Sequence, residues 1–490
     1  MYKHHLASNH QRNQKEETDS AISPGKSGKC STNYTRIRET MKKDKYKISS
    51  KRQHHRLIRD YDRYFIRWSP SNFCHLTSDS VLKFTAIACL LMVLGTFQIR
   101  AQSLETYFST AAENNPGLQA KYKAFEAALQ QIPQVSSLPD PTFSFGYFIS
   151  PVETRLGPQK AKFSLSQMFP WFGTLKAKED AAALAAEAKF QEFVDVRNKL
   201  YYEVTAAYYP IYKLNKWKQI EKENIDILTS YKEIATRNFE NGKGEMVDVL
   251  RVDIMLKEAS TNLNILNKEE KPLLTTFNKL LNRPSEEEVI IEVEEQADSL
   301  PGYLNKDSLM TQHPVLKKLE LMHQSSEAAE TAARKNGYPK LGIGLDYVAV
   351  GERTDMQIDD NGKDVIMPML SVSIPIFRKK YNAAIKEAQL KQESLALQKE
   401  EFTNNLISRY ESVWFNITRQ DQLIELYTQQ IKETRQALKL LTTAYANSGK
   451  DFEEVLRMQQ ELLKYEKKKA AAVSEYNTAV ARMKYVLGTR

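Results

Sequence analysis

The sequence predicts a mainly α-helical fold with a smaller β portion that only other copies of the chain can complete. Three observations predict it. Four segments occur twice in the same order; each copy holds two short strands in which apolar and small or polar residues alternate; and each copy holds a helical run of more than 60 residues with almost no breaker.

Composition narrows the function classes. The 490 residues are 41% hydrophobic, with only 17 glycines and 17 prolines, and abundant Lys, Glu, Gln, Ala and Leu favour long helices. The formal charge of +9 suits a nucleic-acid binder until it is located: residues 1–100 hold 19 Lys+Arg against 8 Asp+Glu, leaving 51 against 53 for the rest. The folded part therefore has no basic excess to lay along a phosphate backbone, and nucleic acid is not a partner.

The leader reads as an address. Residues 1–80, rich in His, Lys, Arg and Ser without apolar periodicity, form a disordered extension or follow a mis-assigned start; Val81 and Leu82 are residues that alternative start codons specify. Residues 81–102 read as a signal peptide: Lys83 precedes a 14-residue apolar run, Phe84–Phe97, too short to span a bilayer, and Ala101 supplies a small residue for cleavage. Cys30, Cys74 and Cys89 all precede Ala101, so the exported chain has no disulfide, thiolate nucleophile or thiolate metal site. Cys89 sits inside the apolar run, which argues against lipidation.

Two units follow, 103–283 and 311–488, joined by a linker over 284–310. ENNPGL at Glu113 matches TQHPVL at Thr311, placing Pro116 over Pro314, and PTFSFGYF at Pro141 matches PKLGIGLDY at Pro339. FSLSQMFPWFG and LSVSIPIF align Pro170 with Pro375; NFENGKGEMVDVLR, ending at Arg251, aligns with AYANSGKDFEEVLR, ending at Arg457. Similar helices arise by chance, but four matches in one order, with strand and turn signals among them, mark a duplication.

Within each unit the elements come in the same order. Pro116 and Pro314 suit the first turn of a helix of about 20 residues. A pair of strands follows: Phe143, Phe145 and Tyr147 oppose Ser144 and Gly146, and Phe163 and Leu165 oppose Ser164 and Ser166. In the second unit Leu341, Ile343, Leu345 and Tyr347 oppose Gly342, Gly344 and Asp346, while Leu370, Val372 and Ile374 oppose Ser371 and Ser373. Alternation alone also fits a small soluble sheet. The long helices then run from Thr174 to Asn241, interrupted only by Pro210, and from Tyr381 to Asn447. Ile424, Tyr427, Ile431, Leu438, Leu441 and Tyr445 make a coiled-coil stripe. Gly242 with Gly244, and Ser448 with Gly449, turn the chain back into helices that start near Glu245 and Asp451.

A four-stranded sheet, apolar on one face and lined with Ser and Gly on the other, cannot close alone, and a membrane barrel must pair every edge. Three chains supply twelve strands. The order of elements, the duplication, the PWFG and IPIF exits from the strands and the F-x-x-G…DVLR turn resemble the TolC family of outer-membrane efflux proteins over about Ser103–Leu487. The resemblance implies a homotrimer: a 12-stranded transmembrane β-barrel held in outer-membrane lipid, continuous with a periplasmic α-helical barrel. It implies the outer-membrane channel of a tripartite efflux or type I secretion system, a passive exit duct driven by an inner-membrane efflux pump through a periplasmic adaptor, or membrane fusion protein. No cofactor, metal or enzymatic activity is expected, since no nucleophile-base pair or phosphate-cradling loop is present.

TolC-like channels close by coiling their helix ends inward and holding them with polar links. The candidates for that gate, or for adaptor contact, are Arg237, Glu240, Gly242, Asp248, Arg251, Gly449, Asp451, Glu453, Glu454 and Arg457; Asp248, Arg251, Glu454 and Arg457 occupy matching places in the two units. His313 and His323 read as surface or helix-end residues, and Met168, Met367 and Met369 as scattered rather than as a copper path. Val289–Val293 reads as a short linker strand, the acidic loop after Gly351 as an extracellular turn, and Trp171 and Phe172 either as a bilayer boundary or as ordinary packing residues. Two alternatives are a periplasmic coiled-coil scaffold or adaptor without a pore, and a solute-specific pore that works without a pump.

Overall fold

Residues 104–291, 312–448 and 452–489 are described by the computed structural model of the chain. The extension, the signal peptide, most of the linker, and the gate candidates Gly449 and Asp451 lie outside the described residues.

The first unit opens with α1 (Leu104–Asn114) and α2 (Pro116–Ser136). Asn115 caps α2 by accepting from the Leu118 amide at 3.0 Å, and Pro116 takes the position whose missing N–H has no helical partner anyway. Strands β1 (Thr142–Thr154) and β2 (Gly157–Phe169) form a hairpin, followed by the 67-residue α3 (Thr174–Glu240) and the returning α4 (Met246–Leu280). The second unit repeats the order: α5 (Pro314–Asn336), β3 (Lys340–Val350), β4 (Val365–Ser373), the 70-residue α6 (Lys379–Ser448) and α7 (Phe452–Val486). At 1.5 Å per residue, α3 and α6 reach about 100 Å each. α3 runs straight through Pro210 as helix.

All four strands pair antiparallel in the order β1-β2-β3-β4, so the free edges are β1 and β4. Below the sheet the helices keep that order, with α2 against α3, α3 against α5 and α5 against α6. The apolar cores lie in the helices and the segments that flank them, with no strand residue among them. One joins α1, α3 and α4 around Tyr107, Val204 and Phe277; a second joins α6 and α7 around Val413, Ile417 and Met483, with Leu316 from α5. A third unites both units at the helical tips. The expected stripe on α6 feeds two of these: Ile424 packs on the second core, and Leu438, Leu441 and Tyr445 on the third.

One expectation needs correction. Val289–Ile291 is not a strand: both backbone polar groups of Ile290 bond the Tyr107 hydroxyl, at 2.9 and 3.3 Å, so the segment is fixed to α1 by a side chain. His313 stands at a helix end, one of the two places expected of it, and is buried there. It is 2% exposed and caps α5, its Nδ1 accepting from the Val315 amide at 3.2 Å. No helix among the described residues is long and apolar enough to cross a membrane.

Candidate functional site: a one-sided sheet and a jointed helical tip

The register sorts the sheet into two chemically different faces. Across the four strands, Phe143, Leu165, Leu345 and Pro368 stand side by side, as do Phe145, Phe163, Tyr347 and Ile366. The rings form a ladder, with Phe145–Phe163 centroids at 5.1 Å and Phe163–Tyr347 at 6.1 Å. Yet none of the described residues covers them: Phe145 is 58% exposed and Leu370 77%. A contiguous apolar face of this kind marks a surface that meets lipid or a partner. The opposite face carries Ser144, Ser164 and Asp346 on one rung, and Thr142, Ser166 and Gly344 on the next. Lys162 lies against Asp346 there at 2.5 Å.

Met168, Met367 and Met369 are not scattered in space, because they all fall on this polar face. The strand alternation already placed them there, and Gly342 and Gly344 leave room for them: a Cβ on Gly342 would lie 2.5 Å from the Met168 sulfur. Where the sheet meets the helices, Trp171 packs on Tyr338 at 5.4 Å, with Phe172 and Phe377 exposed beside the strand exits. At the far end, the loop after Gly351 folds over the β1–β2 turn, the Gly351 amide donating to the Pro158 carbonyl at 2.7 Å.

At the other end of the long helices, the first tip is closed by glycine. Gly242 adopts φ +67°, in the left-handed region that side chains disfavour, and its amide bonds the Phe239 carbonyl at 3.0 Å. Glu240 lies exposed beside it, and α4 starts after Glu245 as expected. The gate candidates behave unequally. Arg251 reaches out of its own unit to Glu453 of α7 at 3.0 Å, and lies 3.6 Å from Asp248. Arg457, its sequence counterpart, folds back on Glu454 of its own helix. Arg237 likewise stays on its own helix, 3.5 Å from Glu233. Of the four matched residues, Arg251 is the one whose ion pair crosses between the units, with Asp248 beside it on the same helix.

Under that joint lies an aromatic cluster that the motif comparison did not single out. Phe452 stacks on Tyr445 with centroids at 4.4 Å and meets Tyr231 edge-on at 6.2 Å. Tyr445 was legible as the end of the stripe; Phe452, alone among acids, was not. Burial pushes the Asp248 carboxyl above the ordinary aspartate value despite Arg251, and raises Tyr445 as well. Lys232 adds a second clamp, joining α3 to Asp253 of α4 at 2.6 Å, and its ammonium with that of Lys257 holds the Asp253 carboxyl at about 2.

Farther up, a polar seam joins the units through α3 and α7. The fully buried Glu221 pairs with Lys467, the Trp217 indole donates to the Lys467 carbonyl at 2.9 Å, and Gln459 donates to Asn224 at 3.2 Å. Above the seam, burial lowers the His313 imidazole to about 4 and raises the neighbouring Tyr485 to about 12. Among the described residues no group of three His, Cys, Asp or Glu is placed to hold a metal ion.

Comparison with known proteins agrees with this architecture. The profile of the outer membrane efflux protein family matches residues 108–275 and 307–489. Among solved structures, the chain is similar to CusC (TM-score 0.66, 15% identity, covering 79% of this chain and 92% of that one). It is similar also to the outer membrane protein VceC from Vibrio cholerae (0.63, 14%, 79% and 96%) and to the open state of the Neisseria gonorrhoeae MtrE outer membrane channel (0.63, 15%, 79% and 89%). At these identities the likeness speaks for the fold. No curated protein matches the sequence.

Proposed function

Since the chain belongs to the outer membrane efflux protein family, and is an outer-membrane efflux channel protein extending into the periplasm, we propose that it works as a passive duct whose periplasmic tips open and close. Channels of this family are trimeric and act with periplasmic adaptors and inner-membrane pumps. The family match does not support the adaptor-like scaffold reading, and that reading leaves the exposed face of the sheet unused.

The observation that carries the proposal is the one-sided sheet with two free edges above helices of about 100 Å. Three chains pairing β4 to β1 remove every edge, turn the phenyl and leucyl face to lipid, and leave the serine and glycine face around water. The transport work comes from the pump, and the chain supplies geometry without a chemical step. The polar joint at Arg251 and Glu453, beside Asp248 and with Gly242 as the turn, is the gate in this reading; Arg237, Glu240, Glu454 and Arg457 are the residues offered to an adaptor. Mass measurement of the detergent-purified chain, followed by reconstitution in planar bilayers, tests it. Three copies per particle and stepwise conductance are expected; a monomer that stays soluble without detergent refutes it.

A further inference from the structure

At the junction of sheet and helices lies an open groove of about 570 Å³, with walls contributed by six alanines of α3, α5 and α6. Its only charged lining residues are Lys178, Lys340 and Lys380, and no carboxylate lines it. The groove belongs to the water-facing side of the proposed duct. Lys340 shares its strand face with Gly342, Gly344 and Asp346, opposite the apolar Leu341 and Ile343. On α5, the Ser325 hydroxyl donates to the Ala181 carbonyl of α3 at 2.8 Å and the Ser326 hydroxyl to the Ala388 carbonyl of α6 at 3.0 Å. Ala329 follows one turn later and Ala333 two turns later, between those two directions, and both line the groove, whereas Tyr338 packs on Trp171 and does not line it.

The three lysines are not balanced locally. Lys178 and Lys340 form no ion pair among the described residues, and Lys380 rests over the Tyr381 ring at 4.9 Å. Acids on the same helical turns are engaged elsewhere: Glu179 and Asp180 with Lys176 at 3.5 and 2.9 Å, and Glu330 with Arg334 at 2.5 Å. Lys380 also stands in the first turn of α6, where the helix dipole disfavours a cation, so local stability does not explain it. With three lysines per chain, a threefold assembly brings nine ammonium groups to one level of the lumen. Like charges gathered in a low-dielectric wall focus the potential and concentrate counter-ions.

We propose that this lysine collar over an alanine wall makes the duct selective for amphipathic organic anions, the head group drawn by the ammonium groups while the apolar body passes along the methyl-lined groove. The proposal rests on the channel reading above and names its cargo class. The full chain reconstituted in planar bilayers under a tenfold KCl gradient tests it. Wild type is expected to prefer chloride, and cholate to block its current. Lys178→Gln/Lys340→Gln/Lys380→Gln should lower the chloride-to-potassium permeability ratio at least threefold and weaken cholate block about tenfold, while the triple arginine variant keeps both. An unchanged ratio and unchanged block in the glutamine variant, at normal conductance, overturn the collar alone. Bilayers that never conduct overturn the channel reading and the collar with it.

Discussion

Replacing Arg251 by alanine should loosen the tips by an amount the geometry sets. Its guanidinium lies 3.0 Å from Glu453 across the two units, with the side chains 41% and 75% exposed. Pairs so exposed contribute about 0.2–1 kcal/mol. If the three tips of a trimer open together, three such pairs break at once, so the joint holds the closed state by about 0.6–3 kcal/mol, or about 3- to 150-fold in the open-to-closed ratio. Single-channel recording at 0.1 M KCl reads that ratio directly. Arg251→Ala and Glu453→Ala should each raise open probability, and the double variant should match either single one, because each removes the same contact. The difference from wild type should shrink at 1 M KCl, where the Debye length falls to about 3 Å. Asp248→Asn separates the neighbouring contact at 3.6 Å. Wild-type open probability in both single variants, or strictly additive effects in the double, would refute the joint.

The other predictions follow from burial. The His313 imidazole sits at about 4 when folded, below its ordinary 6.5, so the unfolded chain binds a proton that the folded one refuses; stability should fall as pH drops from 6.5 to 4, by on the order of 3 kcal/mol in all. His313→Asn, which restores the cap used at Asn115, should flatten that dependence in thermal unfolding of detergent-solubilised protein; an unchanged slope counts against the assignment. Phe145→Arg on the apolar face should cost about 2–4 kcal/mol in the membrane and abolish the heat-resistant oligomer on gels, whereas Ser144→Arg on the opposite face should leave it intact. Lys467→Met strands the buried Glu221 carboxylate and should lower unfolding stability by about 3–5 kcal/mol; Glu221→Leu/Lys467→Met should recover most of it, and equal loss in both would show that the pair is not the cause.

How legible each feature was depended on whether its cause is local. The strands were readable because their two faces meet different solvents, so Phe143, Phe145 and Leu165 alternate with Ser144 and Ser164 whatever the rest of the chain does. The same parity carried Met168, Met367, Met369 and Lys340 to the polar face, although grouping them required the register of β2, β3 and β4. The helices were readable because nothing interrupts them, and the tip because Gly242 needs a positive φ. Partners were harder. Alignment makes Arg251 and Arg457 equivalent, but duplicated helices sit in unlike surroundings: α7 touches both α3 and α6, so the start of α4 has a neighbour at Glu453 that Arg457 lacks. Lys178 and Lys380 belong to one groove only through the rotation of α3 and α6 about their axes, which depends on packing beyond either helix.

This division also governs how variants should be read. The three apolar cores contain no strand residue, so the helical body draws its stability from contacts within one chain. The sheet has two unpaired edges and an apolar face that no described residue covers, so in the proposed trimer it gains its stability when neighbours pair and lipid covers it. A substitution in the α3–α7 seam therefore acts before assembly and lowers the unfolding temperature of each protomer. One on the apolar face of β1 leaves the protomer nearly as stable and removes the assembled channel. A joint such as Arg251–Glu453 belongs to neither class, since its energy is small beside either; in the proposed gate it acts only on the balance between two assembled states. A changed open probability with normal assembly and normal melting is accordingly the signature expected of a gate residue, and it separates the tip candidates from the structural residues around them.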